Sequence, residues 1–191
     1  AFAPECGSAP LFTRLRELDR FRFRADPWLR RSFAGAACII GVAPYARELL
    51  RDVAVQRFEV MCELGIEEPL PPVRTPAGGS GLKLLHVARA VRTKGLRDCI
   101  RALTLLSDLP GVELVQAGGG EELEICREEA RRLGVADRVS FLGRVPREKV
   151  EELYAASDVF LFPSFREPTG GVLIEAMRHG LPVIAADRGG P

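Results

Sequence analysis

The chain has no charge excess of one sign, no cysteine pair at ligand spacing and no long apolar run. Its 27 basic residues are balanced by 26 acidic ones, for a net charge of +1, so it lacks the overall electrostatic footprint of a nucleic-acid binder. The five cysteines (Cys6, Cys38, Cys62, Cys99, Cys126) are scattered, odd in number and never in a Cys-x-x-Cys spacing. That argues against a disulfide framework or a zinc site and for a reducing compartment. No stretch approaches the roughly 20 apolar residues of a membrane-spanning helix, and no secretory signal is visible. An initiating methionine is missing, and the last residues, "DRGGP", are a turn signal with nothing after it. The expectation is a fragment cut at both ends. What remains is ordinary globular composition: 191 residues, 47% hydrophobic and 28% charged, enough for one domain or one domain plus part of another.

The strongest punctuation is "EEPLPPVRTPAGGSG" (67–81), whose four prolines and three glycines exclude a helix or central strand and predict a linker. Beyond it, apolar runs alternate with helical periodicity. Strands are expected at 82–88, 112–117, 138–143, 158–163 and 181–186, and helices at 94–106, 121–134, 146–157 and 171–179. Leu96, Cys99, Ile100, Leu103 and Leu106 share one helical face, while the strands are apolar on both faces. The pattern predicts an α/β fold, a Rossmann-like parallel sheet with flanking helices, occupying 82–191 and ending before the sheet is complete. Residues 1–66 read as the C-terminal part of a preceding α/β domain, with strands near 36–44 and 57–61, a helix near "YARELL" and an arginine-rich helix over about 11–33. Residues 11–35 hold seven arginines against Glu17, Asp19 and Asp26. Such a segment can meet anionic lipid as a peripheral contact, although a solvated basic face is the simpler reading.

Open parallel sheets bind ligands at the carboxyl ends of their strands. Those ends carry "ARAVRTKG", "AGGGE", "GRVP", "SFREPTGG" and "DRGGP", and the glycines are expected to let a ligand approach the backbone. Arg89 and Lys94 put a guanidinium and an ammonium on one loop, suited to phosphate oxygens, or simply solvated there. A helix starting at Gly170 or Gly171 offers unpaired N–H groups and a positive dipole end. Glu175 lies one turn on, over the side-chain-free Gly171, where it can accept from two vicinal hydroxyls. Glu167, just upstream, can reach a second polyol. The plainer alternative makes Glu167 a solvated loop acid and lets Glu175 cap a neighbouring helix. His86, in an apolar strand, reads as a packed core histidine. His179 ends a helix, where a basic residue suits the dipole, and Cys99 and Cys126 read as small core or boundary residues.

"GGVLIEAMRHGLPVIAADRGGP" and "GVADRVSFLGRVPREKVEELYAASDVFLFPS" resemble the donor-site segments of retaining, nucleotide-sugar-dependent glycosyltransferases of the GT-B fold, family 4 type. The Glu-x7-Glu motif of that family is matched by Glu167 and Glu175, and its Arg and Lys-Gly by Arg89, Lys94 and Gly95. The resemblance covers 82–191 and, loosely, 36–66. Ala88 stands where a Gly usually precedes the Arg, "AGGGE" lacks a common aspartate, and Thr169 replaces a larger residue.

The resemblance implies roles for these positions. Arg89 and Lys94 would bind the donor diphosphate, Glu175 the ribose, and Glu167 the transferred sugar near the reacting carbon. The amides of Gly170, Gly171 and Val172 would complete the phosphate site, with the base near Arg144 and Val145. It implies transfer of a hexose from a UDP-sugar or GDP-sugar to an acceptor hydroxyl with retention, with no metal and no cofactor. The acceptor would be a glycan, lipid or small molecule, in the cytoplasm or at the inner face of a membrane. A nucleotide-sugar binding module without transfer activity, or a sugar-nucleotide epimerase of the same fold, are the competing readings.

Overall fold

The computed structural model describes residues 27–41, 47, 50, 53–60, 81–167 and 169–187. Two compact units emerge, Ala1–Cys62 and Glu63–Pro191. In the first, helix α1 (Pro27–Ala34) is followed by strands β1 (Ile39–Gly41) and β2 (Phe58–Val60), which pair in parallel with Ile39 opposite Phe58. Leu50 is its buried centre, packed by Phe33, Ile39, Val53, Val55 and Phe58. Most of the expected arginine-rich helix, the helix near "YARELL" and the linker at 67–80 lie outside the described residues.

The second unit carries the regular alternation. Strands β3 (Leu82–Val87), β4 (Val112–Ala117), β5 (Val139–Gly143), β6 (Val159–Phe162) and β7 (Val183–Ala185) alternate with helices α2 (Leu96–Thr104), α3 (Leu123–Arg132), α4 (Arg147–Ala156) and α5 (Gly171–Arg178). All five strands are parallel, in the spatial order β5-β4-β3-β6-β7. The expected parallel α/β sheet is therefore present. Among the described residues no helix is long and apolar enough to cross a membrane.

Side-chain alternation splits the core into two layers. Leu84 and Leu114 face one side with Leu96, Cys99, Ile100, Leu103, Cys126 and Ala130 of α2 and α3. Leu85 and Val115, one residue on in each strand, face the other with Tyr154, Leu173 and Ala176 of α4 and α5. Each fully buried Leu, Ile or Phe contributes about 1.5–3 kcal/mol, so both layers are needed to close the sheet. Burial pushes the Cys99 thiol up to about 12 and Cys126 to about 11, as expected of small apolar packers. Glu129, 4% exposed, ties α2 to α3 by accepting from Arg97 at 2.5 Å and Arg101 at 2.7 Å. Burial pushes its carboxyl up, but those two guanidinium hydrogen bonds hold it below the ordinary value. Both α3 and α5 end in the same hydrogen-bonded turn. The N–H groups of Val135 and Leu181 reach back to the carbonyls of Ala130 and Ala176, across Gly134 and Gly180 in the left-handed region.

The sequence places the start of α2 at residue 94, but the structure starts it at Leu96. Arg92–Lys94 form a separate 3-10 turn, and Gly95, at φ 71°, sits between turn and helix. A Cβ at Gly95 would lie 2.5 Å from the carbonyl oxygen of Pro163, so the residue is required both by its dihedral and by the approach of the β6 exit. Gly134 has a similar φ of 70° but nothing within 4 Å of its would-be Cβ. Gly95→Ala is therefore expected to lower the unfolding free energy by about 2–4 kcal/mol and Gly134→Ala by about 1–2 kcal/mol. Denaturant titration of the two variants side by side checks the difference, and equal losses would show that the contact with Pro163 is unimportant.

Candidate functional site

In the order β5-β4-β3-β6-β7 the chain first steps outward from β3 on one side and then returns to step outward on the other. The crevice where that direction reverses lies between the carboxyl ends of β3 and β6, the place where open α/β sheets take ligands. The loops leaving these two strands carry Lys94 and Glu167, and they are bonded to each other. Thr93 accepts at its carbonyl from Ser164 Oγ at 3.1 Å and from the Phe165 N–H at 3.2 Å. His86 Nε2 lies 3.0 Å from the Lys94 carbonyl oxygen and must donate to it. The cation-bearing turn is thus tied down by side chains and backbone from both strands.

Lys94 Nζ donates to Glu167 Oε2, and the two side chains are only 14% and 13% exposed. The ammonium also lies 5.5 Å from the centre of the Phe162 ring, a favourable cation–π arrangement. Glu167 Oε1 accepts from the N–H of Gly170 at 3.2 Å and of Thr169 at 3.4 Å. Burial pushes the Glu167 carboxyl up, yet the Lys94 hydrogen bond and the two amides together hold it below its ordinary value. Glu167 is therefore not a solvated loop acid. Its carboxylate sits between an ammonium and a helix N-terminus, so the Gly170 amide expected to be open to a ligand is already engaged. The N–H groups of Gly171 and Val172, in the first turn of α5, find no acceptor among the described residues.

Glu175 belongs to a second cluster on α4 and α5. It accepts from Arg147 Nη1 at 2.6 Å and from the buried Tyr154 hydroxyl at 3.0 Å. Arg147 also reaches Glu151 at 2.8 Å. Glu151 in turn accepts from His179 Nε2 at 2.6 Å, and the His179 ring stacks on Tyr154 at 5.3 Å. Burial works against ionising Glu151, but the His179 bond and the Arg147 charge hold its carboxyl below the ordinary value. Burial and the Glu175 carboxylate raise Tyr154, so its hydroxyl stays a donor. The alternative that Glu175 serves a neighbouring helix thus has a counterpart here: its partner Arg147 is the first residue of α4. One carboxylate has room for both, since it offers about four acceptor positions.

Arg89 is exposed and has no side-chain partner among the described residues. The expectation that the "AGGGE" glycines admit a ligand needs correction. A Cβ at Gly118 would fall 2.0 Å from the Ala88 oxygen, and one at Gly120 would fall 2.3 Å from the Ala90 oxygen. What approaches these two glycines is the Arg89 loop itself, joined by hydrogen bonds from Ala90 N–H to Gly119 O at 3.0 Å and from Glu122 N–H to Ala90 O at 2.9 Å. Gly119 instead faces Arg144, whose Cγ would lie 3.1 Å from a Cβ there, with Val145 following half-buried. Ala88 packs against the α4–α5 layer of the core, so a methyl group at that position is accommodated.

Two buried polar residues support this frame: His86, expected as a core histidine, and Gln116, which the sequence reading passed by. His86 and Gln116 are both fully buried and stand opposite each other in the β3–β4 register. Gln116 donates to Gly118 O at 2.7 Å and Ala88 O at 3.4 Å. The available signal was a single polar residue near the end of each apolar strand. Among the described residues no group of three or more His, Cys, Asp or Glu could hold a metal ion.

The family model for glycosyl transferases group 1 matches residues 74–191. A D-inositol 3-phosphate glycosyltransferase of Corynebacterium jeikeium is 33% identical over 171 residues, which is 83% of this chain and 38% of that protein. An uncharacterized glycosyltransferase of Methanocaldococcus jannaschii is 36% identical over 107 residues, 56% of this chain and 27% of that protein. Among solved structures, the sucrose-phosphate synthase of Thermosynechococcus elongatus superposes with a TM-score of 0.68 at 25% identity, over 97% of this chain and 47% of that one. The Anabaena HepE structure in complex with UDP and glucose gives 0.72 at 23% identity, over 92% and 51%. The chain thus spans about a third of the length of these curated relatives.

Because the folded-state Glu167 carboxyl lies below its ordinary 4.5, the unfolded chain binds the proton more readily. Its contribution to stability is full above about pH 4.5 and is lost as the pH falls through the lower, folded value. In urea titrations the native chain should exceed Glu167→Gln in stability near about pH 6, and the gap should close as the pH is lowered below about 4. A gap that stays constant over that range would contradict the ion pair.

Proposed function

The chain belongs to the glycosyl transferases group 1 family, and from that membership we propose that it forms the donor-binding part of a retaining glycosyltransferase. The reaction moves a hexose from a nucleoside-diphosphate sugar to an acceptor hydroxyl, and it draws on the chain's own cations rather than on a metal. The observation that carries this reading is the convergence at the β3–β6 crevice of Lys94, Glu167 and the start of α5.

As the bond from the anomeric carbon to the diphosphate oxygen breaks, that oxygen takes the electron pair and negative charge grows on it. Lys94 and the amides of Gly171 and Val172 stabilise this charge from fixed positions, and the exposed Arg89 joins them, an electrostatic contribution of the oxyanion-hole kind. The acceptor oxygen forms its bond to the same carbon from the face the diphosphate is leaving. Its proton passes to the departing phosphate, so charge and configuration are both accounted for. Glu175, steadied by Tyr154, accepts from the ribose hydroxyls. Glu167, whose Oε2 holds Lys94 and whose Oε1 holds the α5 terminus, offers its remaining acceptor positions to the transferred sugar. Arg144, lying over Gly119, and Val145 border the place for the base.

The relatives' names and the structures solved with UDP support a nucleotide-sugar donor. Within the complete enzyme, Lys94→Ala or Arg89→Ala should each cost about 2–4 kcal/mol of transition-state stabilisation, a 30- to 1000-fold loss in kcat/KM. The measurement is acceptor-dependent release of nucleoside diphosphate from a panel of nucleotide sugars. Near-normal turnover by both variants would overturn these roles. Binding without release would make the chain a sugar-nucleotide binding module, and altered sugar with no diphosphate released would make it an epimerase.

A further inference from the structure

Lys94 is useful only if its ammonium is presented at the crevice, and its turn, closed at Lys94 N–H to Val91 O at 3.0 Å, is weakly closed one residue on. The bond from Gly95 N–H to Arg92 O across that turn is 3.5 Å long, at the edge of hydrogen-bonding distance. The residue after it is a glycine in the left-handed region, which resists displacement little on its own. Beyond the N–H bond to Val91, Lys94 is held at its carbonyl by the hydrogen bond it accepts from His86 Nε2 at 3.0 Å.

His86 is an expensive way to fill that place. It is completely buried in the middle of the sheet, on β3, among Leu84, Leu85 and Val87. Its second ring nitrogen, Nδ1, is also buried and has no hydrogen-bond partner among the described residues. An apolar side chain of similar size would avoid stranding that nitrogen. Among the described residues, the polar contact of the ring goes to the residue that bears the candidate phosphate cation. Burial pushes the imidazole pKa down, which leaves a neutral ring with its single proton on Nε2, the nitrogen facing the Lys94 carbonyl.

We propose that His86 is a positioning residue for Lys94: its Nε2–H, donated to the Lys94 carbonyl from inside the sheet, sets where the ammonium meets the donor diphosphate. This rests on the donor-site reading given above and adds to it a buried residue that touches neither substrate nor reacting atoms. A histidine that only filled the core would affect stability, but its effect on ligand binding would not depend on Lys94.

A double-mutant cycle separates these roles. Binding of uridine diphosphate and guanosine diphosphate is measured by calorimetry for the native chain, His86→Leu, Lys94→Ala and the double variant. His86→Leu should weaken the better-bound nucleotide by about five- to tenfold when Lys94 is present and by less than about twofold when it is alanine, because residues acting through one another are not additive. His86→Gln, whose amide nitrogen can reach the position of Nε2, should recover most of the loss. Equal losses in both backgrounds, or a glutamine variant as weak as the leucine variant, would overturn the proposal alone. If Lys94→Ala binds both nucleotides as the native chain does, the donor-site reading falls and this inference with it.

A measurement on the native chain guards against a leucine variant that does not fold. The chain has only two histidines, so nitrogen-15 spectra of the imidazoles are readily assigned. A neutral Nε2–H tautomer at His86 is required. A neutral Nδ1–H tautomer would overturn the proposal, since a bare Nε2 cannot donate to a carbonyl.

Discussion

A nearly buried ammonium and a nearly buried carboxylate face each other across the gap between β3 and β6, and the rest of the site is arranged around keeping them there. Neither charge could be sheltered this deeply alone, because removing an ion from water costs several kcal/mol even after relaxation. Each is compensated: Lys94 by Glu167 and the face of Phe162, and Glu167 by Lys94 and two backbone amides. Keeping this pair aligned constrains the two loops that carry it. The Thr93 carbonyl is bound by the β6 exit and the Lys94 carbonyl by β3, while Gly95 allows the turn to come within contact of Pro163.

The pair also bears on the proposed anion site. Glu167 places its own carboxylate between the ammonium and the start of α5, where a phosphate would find the same partners. The two first-turn amides beyond it, at Gly171 and Val172, find no acceptor among the described residues, and the exposed Arg89 stands on the same β3 exit loop as Lys94. On the proposed reading, Lys94 is held in place by the protein before any donor arrives. Around Glu175 the same economy recurs. The Tyr154 hydroxyl and Arg147 hold one carboxylate, and they are themselves braced by Glu151 and His179.

Much of this was legible in the sequence, and the reasons are specific. Strands with apolar residues on both faces, alternating with helices such as that of Leu96, Cys99, Ile100 and Leu103, can bury themselves only as a covered parallel sheet. The Glu167–Glu175 spacing across a Gly-Gly helix start, with Arg89 and Lys94 on another strand exit, pointed to an anion and a polyol together. Strand order was not legible, because periodicity says nothing about which strand neighbours which, and so the meeting of the β3 and β6 exits came only from the structure. Gly118 and Gly120 looked like room for a ligand but serve the packing of the Arg89 loop, a contact between segments about 30 residues apart. His86 looked like core, and it is core. Its hydrogen bond to Lys94 depends on a turn at 92–94 that the helical pattern of the following residues concealed.

The account stands most directly on where a nucleoside diphosphate binds. A crystal structure of this chain with uridine or guanosine diphosphate should place phosphate oxygens within hydrogen-bonding distance of Lys94 Nζ and the N–H groups of Gly171 and Val172, with the ribose against Glu175. A diphosphate bound elsewhere, with Lys94 still engaged only by Glu167 and the α5 amides left to water, would contradict it.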